Sequence, residues 1–251
     1  MRWILLFFSR SFLIRMSLFI QPILRLYFRG TKFIDPIDDS EYRKFLPYGY
    51  GKALRPNALC PGTLSLERHR LLWLYLERET TFLKQELKVL HVAPEQVFYR
   101  KFKLFKHWNY TTTDLYSPLA DVIADISNLP FQEDQYDLIL CNHVLEHIPD
   151  DLKAMAELYR VLKKGGTLIA QVPLDENLKK TFEDKSIIDP KARAKVFGQY
   201  DHVRIYGQDY FTRLESVGFS PNIVQPQNSL TKEEIKKFAL SLAEVIPVMI
   251  K

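Results

Sequence analysis

The sequence predicts an α/β fold built on a doubly wound, mostly parallel β-sheet. Short apolar runs alternate with helix-like patterns over residues 88–225, the order that parallel sheets with crossover helices produce. The run Tyr136–Cys141 is apolar apart from Asp137 and does not alternate with polar residues, so we expect a strand that is buried on both faces. Several runs end in acidic or amide residues, and in such sheets ligands bind beyond the carboxyl ends of the strands.

The elements are expected in the following order along the chain. Residues 31–63 are rich in proline and glycine, which favours loops, and a helix follows from Leu64 to about Lys88. Asp150 begins another helix, which Gly165 ends, and a third helix covers residues 208–217. Strands are predicted at residues 89–92, 108–113, 122–124, 136–141, 167–172 and 219–224. The predicted parts are an amphipathic helix (1–30), a cap (31–87), a sheet domain (88–225) and a helical tail (226–251).

Composition and charge exclude several classes of protein. The chain has 251 residues, of which 47% are hydrophobic and 26% charged, as in globular proteins. Two cysteines, Cys60 and Cys141, are too few for a disulfide scaffold, which indicates a reducing compartment or indifference to redox state. We expect a cytoplasmic location. The net charge is +5, and residues 1–30 hold five arginines and no acidic residue. The rest of the chain is therefore neutral, which argues against a nucleic-acid partner.

The first thirty residues have a basic amphipathic pattern. On a helical wheel, the polar and basic residues from Arg10 to Arg29 occupy less than half of the circumference, and apolar residues fill much of the rest. No uncharged stretch reaches the ~20 residues that span a bilayer. We expect an interfacial helix in peripheral contact with the inner face of a membrane. The alternatives are a helix packed on the protein's own core, and a true start at Met16.

Two tetrapeptides of the cap have the spacing of zinc knuckles. Asp35-Pro-Ile-Asp38 and Cys60-Pro-Gly-Thr63 lie about twenty residues apart, as the halves of a zinc ribbon do. Only one of the four ligand positions is a cysteine, and threonine is a poor ligand. We therefore expect a degenerate zinc-ribbon-like cap that holds no metal.

The residues that follow the strands favour an adenosine ligand without phosphates. Asp114 lies nineteen residues beyond Glu95, a distance at which a carboxylate can accept both hydroxyls of a ribose. Asp125 can accept the exocyclic amine of an adenine, while Ile126 packs on the ring. The sequence has no glycine-rich phosphate cradle and no Gly-x-x-x-x-Gly-Lys motif, which argues against a nucleoside triphosphate.

The motifs of residues 88–225 resemble those of class I S-adenosylmethionine-dependent methyltransferases of the type 11 group. The resemblance rests on VLHVAPE, on YTTTDL and on the segment from Asp125 to Pro173. That segment contains Leu-Pro-Phe, Tyr-Asp-Leu-Ile, Val-Leu-Glu-His-Ile-Pro-Asp and Leu-Lys-Lys-Gly-Gly, in this order. The resemblance implies a Rossmann-like fold with S-adenosylmethionine as cofactor.

The resemblance also implies a set of cofactor-binding residues. The turn after the first strand cups the methionine part of the cofactor, and Asn142 lies beside the sulfonium. This turn departs from the family pattern, because His91 stands where an acid is usual and glycines are missing at Ala93 and Glu95. Glu95 is expected to replace the missing acid by meeting the cofactor's ammonium group. The implied residues are His91, Val92, Ala93, Pro94, Glu95, Asp114, Leu115, Asp125, Ile126, Asn142 and His143.

Further candidates lie outside these motifs. Asp201 and His202 belong to a loop that is expected to overhang the pocket, where they could orient an acceptor and take its proton. His143 is a third candidate for catalysis. By the resemblance, Arg70 lies on a helix over the cofactor pocket and could clamp the methionine carboxylate, with salt bridging inside the helix as the alternative.

The run His143-Val-Leu-Glu146-His147 has ligand-type residues at a suggestive spacing. A related pattern, Glu-x-x-Glu-His, binds a divalent metal in some RNA-end methyltransferases, but here the first acid is missing. Val-Leu-Glu-His is also a common structural phrase of the type 11 group. We expect the structural role and no metal.

We expect an S-adenosylmethionine-dependent methyltransferase that transfers the methyl group in line to a small-molecule or a lipid- or glycan-linked acceptor. Such an enzyme works chiefly by aligning donor and acceptor and excluding water. The residues do not identify the acceptor. The alternative is a catalytically inactive adenosine-binding scaffold of the same fold, and the altered turn after the first strand is its support.

Overall fold

The computed structural model describes residues 10–49, 54–118 and 120–251, and the chain forms two compact units. The cap unit comprises the residues up to Gln85, residues 96–101 and residues 225–244. The sheet unit comprises residues 86–95, 102–224 and 245–251. The sheet unit thus includes the last seven residues of the chain.

The helices and strands are numbered here in chain order. The helices are α1 (Arg10–Tyr27), α2 (Glu67–Arg78), α3 (Gln96–Phe102), α4 (Asp151–Val161), α5 (Pro190–Val196), α6 (Tyr210–Ser216) and α7 (Lys232–Lys237). The strands are β1 (Arg29–Asp35), β2 (Ser40–Tyr42), β3 (Leu46–Tyr48), β4 (Arg55–Leu59), β5 (Leu87–Val92), β6 (Trp108–Asp114), β7 (Val122–Ile123), β8 (Tyr136–Cys141), β9 (Leu162–Ile169), β10 (Phe182–Glu183), β11 (Arg204–Ile205), β12 (Ser220–Val224) and β13 (Ile246–Ile250).

A seven-stranded sheet with the order β12-β13-β9-β8-β5-β6-β7 forms the sheet unit. Strand β5 pairs in parallel with both β6 and β8, and the parallel pairing continues to β7 on one side and β9 on the other. The chain runs from β5 to one edge and then crosses to β8, so the topological switch point lies between β5 and β8. This arrangement confirms the predicted doubly wound, mostly parallel sheet.

The end of the chain differs from the prediction. The expected helical tail contains the short helix α7, but its last residues form β13, which pairs antiparallel with both β9 and β12. Ile246, Val248 and Met249 are buried there. A short apolar run suits a buried strand as well as a helix, and the open hydrogen-bonding edges of β9 and β12 decide between them.

Helix α4 and strand β9 also meet at a different residue than expected. Asp150 caps α4 as predicted, since its side chain accepts a hydrogen bond from the backbone of Lys153. The helix ends at Val161 rather than at Gly165, because Leu162 adopts an extended conformation and begins β9. Strand β9 therefore starts five residues before the predicted position at 167.

The cap unit contains two antiparallel hairpins, β1–β2 and β3–β4. The two tetrapeptides of the predicted ribbon contact each other directly, because Asp35 accepts hydrogen bonds from the Thr63 hydroxyl and, at 2.7 Å, from Ser65 Oγ. Burial raises the pKa of the Cys60 thiol to about 11, and the charge of Asp35 adds to this. Hydrogen bonds thus join the two tetrapeptides, and their relation to a zinc ribbon stays a prediction.

Helix α1 turns polar side chains toward the rest of the cap unit. Gln21 accepts a hydrogen bond from Arg100 at 3.0 Å, and Arg25 donates to Asp38. The opposite side, called here the apolar face, consists of Phe19, Ile23 and Leu26, which are 79%, 68% and 74% exposed. The apolar side of this part of α1 is therefore not packed on the core, and the side chain of Arg25 is 51% exposed. Among the described residues, no helix is both long enough and apolar enough to cross a bilayer.

Candidate active site

The turn after β5 contains an imidazole–carboxylate pair. His91 is fully buried; its Nδ1 lies 2.7 Å from Tyr110 Oη and its Nε2 lies 2.7 Å from Glu95 Oε2. Glu95 therefore reaches back to the imidazole at the end of the strand. Between them, Ala93 has a φ of 47°, in the left-handed region that favours glycine. Its amide donates to Thr113 at 2.7 Å, which ties the turn to β6.

Other residues of the predicted set lie along the same edge of the sheet. Val92 pairs in register with Thr113 of β6 and Cys141 of β8, so the residues that follow these three strands come together. Val92 and Pro94 are buried, whereas Glu95 remains partly exposed. The structure thus brings the turn after β5 together with the residues that follow β6 and β8, as the order of strands predicts.

The two predicted adenosine carboxylates are held by their own loops. Asp114 Oδ1 accepts hydrogen bonds at 2.7 Å from the backbone amides of Tyr116 and Ser117. Asp125 is exposed, and its Oδ1 accepts from the amide of Ser127 at 2.8 Å. These short contacts orient both carboxylates without burying them. The residues that follow the two carboxylates differ in exposure. Leu115, after Asp114, is 44% exposed, whereas Ile126, after Asp125, is buried in the core.

The ends of β8 and β9 hold buried polar atoms that lack partners. Asn142 is buried, and its Oδ1 accepts from the amide of Gln171 at 3.2 Å. His143 has a φ of 54°, and its amide donates to the carbonyl of Gln171 at 2.7 Å. Within the described residues, Asn142 Nδ2, His143 Nε2 and both amide atoms of Gln171 have no hydrogen-bond partner. Because most buried polar groups are paired in folded proteins, this concentration indicates a place for a ligand.

The predicted loop residues Asp201 and His202 meet a short 3-10 helix, Leu145–His147. His147 Nδ1 lies 3.3 Å from the carbonyl of Asp201 and 3.5 Å from its Oδ2. The imidazole rings of His147 and His202 are 4.7 Å apart and nearly perpendicular. Glu146 Oε1 lies 3.3 Å from His143 Nδ1. Sequence reasoning missed Gln171, and it gave Glu146 and His147 a structural role only.

The surroundings of Glu146 and of His202 shift the pKa of each of these two groups. Burial raises the pKa of Glu146, but the hydrogen bond and charge of His143 outweigh it, so the net pKa lies below its ordinary value. Burial lowers the pKa of His202, and the charge of Glu146 offsets only part of this effect. At neutral pH the site therefore combines a buried carboxylate with a neutral imidazole, which can accept a proton or bind a cation.

A network behind the cluster holds its two segments together. Arg204 is 2% exposed and donates to the carbonyls of Leu145, Ile148 and Pro149, and to Glu183 at 2.9 Å. These bonds fasten the loop that carries His202 to the segment that carries Glu146. A cleft of about 470 Å³ opens beside this network, but the charges of Arg204, Asp151 and Glu183 in its wall are paired with one another or with Arg213. We therefore assign the cleft no role in binding.

Arg70 is not available for the role expected of it. Its side chain is fully buried in the cap unit and donates to the carbonyls of Ala58, Ser65, Phe238 and Ala239 at 2.7–3.1 Å. All three nitrogens of the guanidinium group are occupied by these bonds, so the group cannot also clamp a carboxylate. The alternative was a salt bridge within the helix of Arg70, but its hydrogen bonds go to backbone carbonyls outside that helix.

Comparison with known proteins shows that part of the sheet unit is similar to methyltransferase domains. Residues 88–170 match the family model described as "Methyltransferase domain". An uncharacterized protein of Methanocaldococcus jannaschii is 33% identical over 105 residues, which make up 41% of this chain and 46% of that protein. The ubiquinone/menaquinone biosynthesis C-methyltransferase UbiE of Psychromonas ingrahamii is 40% identical over 65 residues, or 25% of this chain and 26% of that protein. The chain thus matches about half or less of the length of these relatives.

A solved structure extends the likeness to most of the chain. The crystal structure of the (4+2) cyclase SpnF has a TM-score of 0.52 at 13% identity, and the alignment covers 92% of this chain and 96% of that one. This likeness concerns the fold alone, because one fold hosts many reactions. Together with the sheet order, it confirms the Rossmann-like class I methyltransferase fold. The matched domain implies S-adenosylmethionine as the cofactor, as predicted.

Proposed function

We propose that this protein is an S-adenosylmethionine-dependent methyltransferase that acts on a small-molecule or a lipid- or glycan-linked acceptor. The observation that supports it most is a set of polar atoms on Asn142, His143 and Gln171, at the carboxyl ends of β8 and β9, that have no hydrogen-bond partner in the described part of the chain. Ligands of doubly wound sheets bind at this edge, and buried polar atoms without partners are expected where a polar ligand completes their hydrogen bonds.

The residues after β5, β6 and β7 fit the cofactor that the domain implies. Ala93 keeps the turn small, since only its methyl group stands where the family has glycine. Asp114 and Asp125 are oriented acceptors for the ribose hydroxyls and the adenine amine. Glu95, held by His91, presents a carboxylate for the ammonium group. When bound, S-adenosylmethionine supplies an activated methyl group on a sulfonium.

The acceptor side of the proposed site is formed by Asp201, His202 and His143. A neutral, buried His202 is suited to take a proton from an acceptor, and Asp201 fixes the neighbouring His147. A base is required only when the acceptor is not already nucleophilic. The main contribution expected of these side chains is therefore to position the acceptor and exclude water.

The orientation of α1 supports an acceptor at a membrane surface. Its apolar face is exposed, while Gln21 and Arg25 bind within the cap unit. An exposed apolar stripe on a helix whose described residues are not apolar enough to cross a bilayer is typical of interfacial helices. On this proposal, α1 holds the protein at the surface where a lipid-linked acceptor resides.

Calorimetric titration with S-adenosylmethionine and with its demethylated product tests the function. We expect micromolar or tighter binding, and Asp114→Ala should weaken it about 10- to 150-fold, because a charge-assisted hydrogen bond is worth about 1.5–3 kcal/mol. Asp184→Ala, which removes an exposed carboxylate elsewhere in the sheet unit, is the matched control and should change nothing. No binding of either compound by the folded protein would leave the catalytically inactive scaffold as the better account.

A further inference from the structure

We infer that Glu146, His147 and His202 form a binding site for a divalent transition-metal ion. One ligand atom of each residue lies within 4.8 Å of the others, although His202 is far from the other two in sequence. Glu146 is 2% and His202 is 5% exposed. Within the described part of the chain, Glu146 Oε2 and His202 Nε2 have no hydrogen-bond partner. Glu146 Oε2 and His202 Nε2 are thus two buried atoms of one cluster that can each donate a lone pair to a metal ion.

The donor set matches the chemistry of such an ion. Two imidazoles and one carboxylate are the ligands of one class of catalytic zinc site, and the same set binds non-heme iron(II). Bonds to these ligands are about 2.0–2.2 Å long, so the side chains must approach one another by about an ångström on binding. Three ligands leave at least one coordination position for water or for an oxygen of a bound molecule. Magnesium and calcium, which prefer oxygen ligands only, fit this set poorly.

Contacts around the three ligands hold each one in a suitable orientation. His143 Nδ1 engages Glu146 Oε1 and leaves Oε2 for an ion. The carbonyl and carboxylate of Asp201 engage His147 Nδ1, which leaves Nε2 of that ring for the ion. Metal-binding histidines usually have such a partner on the other ring nitrogen. The backbone of Val203 donates to the carbonyl of Glu146 at 3.0 Å, which fixes the distance between the two segments.

A purely structural role leaves these observations unexplained. A buried ion pair between Glu146 and His143 would account for Oε1, but not for Oε2 or for His202 Nε2. A hydrogen bond between Glu146 and His202 would satisfy both atoms, yet the structure has none. The sequence-based expectation of no metal followed from the missing first acid. In the folded chain, His202 of a distant loop lies where it can serve as the third ligand in place of that acid.

Metal binding at this cluster does not depend on the proposed methyltransferase function. Metal binding needs only the three ligands, and it is measured without methyl donor or acceptor. If the proposed function also holds, His202 acts as a ligand rather than as a free base. The open coordination position would then face an oxygen-bearing acceptor.

The test is metal titration of the full chain, purified without a histidine tag and stripped with EDTA. We expect one equivalent of Zn²⁺ by calorimetry, and a Co²⁺ absorption spectrum that differs from that of Co²⁺ in buffer. Glu146→Gln, His147→Gln and His202→Gln should each lower the affinity for Zn²⁺ by more than about 100-fold. Asp201→Asn, which removes the charge beside His147 without removing a proposed ligand, should lower it by about 10- to 100-fold. His107→Gln, which changes a histidine outside the cluster, should leave it unchanged.

The outcomes separate the metal site from the cofactor site. Glu146→Gln conserves shape, and circular dichroism of each variant verifies that it is folded. Asp114→Ala should lose affinity for S-adenosylmethionine and retain Zn²⁺, so a failure of one proposal is distinguishable from a failure of the other. The inference is overturned if the folded protein binds no Zn²⁺, if the Co²⁺ spectrum is that of the free ion, or if the ligand variants bind Zn²⁺ as well as His107→Gln does.

Discussion

Arg204→Lys tests whether one guanidinium group joins the two segments of the candidate site. Arg204 reaches three carbonyls on one side and Glu183 on the other. A lysine keeps the charge but has a single nitrogen, which cannot reach both sides at once. At least two charge-assisted hydrogen bonds are lost, each worth about 1.5–3 kcal/mol, and the lysine recovers part of this. We expect a loss of about 3 kcal/mol in the free energy of unfolding of the sheet unit.

The measurement is urea and thermal unfolding followed by circular dichroism. For a chain of this length, about 3 kcal/mol corresponds to a decrease of about 6–12 °C in the melting temperature. Arg193→Lys is the matched control, because Arg193 donates through Nε to one carbonyl, that of Ile187. It should cost less than about 1 kcal/mol. If the two variants unfold alike, Arg204 does not hold the segments together, and the reasoning from its hydrogen bonds is refuted.

Three further predictions concern charge, backbone and surface. Burial raises the pKa of Asp151, but Arg213 and Arg204 lower it below the ordinary value of 3.8. The ionised carboxylate therefore stabilises the fold at neutral pH, and this contribution is lost as the pH falls below about 4. The difference in unfolding free energy between wild type and Asp151→Asn should therefore shrink in acid; a constant difference would contradict this. Ala93→Gly should change the free energy of unfolding by less than about 1 kcal/mol, whereas Ala93→Val should cost about 1–2 kcal/mol more, because branched side chains resist a positive φ. Equal melting temperatures of the two variants would argue against strain at this residue. Serine at all three positions of the apolar face should lower partitioning into anionic vesicles by at least about 100-fold. Ile188→Ser, the control at another exposed apolar residue, should have no effect.

The prediction of the fold succeeded where local pattern is sufficient. The largely apolar, non-alternating run Tyr136–Cys141 predicted a buried strand, and the structure assigns the strand to the same residues. The prediction failed where two states fit the same pattern. The run Ile246–Ile250 became a strand because β9 and β12 offered it hydrogen bonds, and no local signal reveals a partner that is distant in sequence.

The candidate site shows the same division. The sequence by itself determined that polar residues follow β5, β6, β7 and β8, because strand ends are readable from apolar runs. Only the tertiary structure decided which side chains meet. It paired His91 with Glu95, enclosed Arg70 among backbone carbonyls, and brought His202 to Glu146 and His147. The physical reason is that periodicity reports the direction of each side chain relative to its own element, whereas a binding site depends on contacts between elements that chain connectivity leaves open.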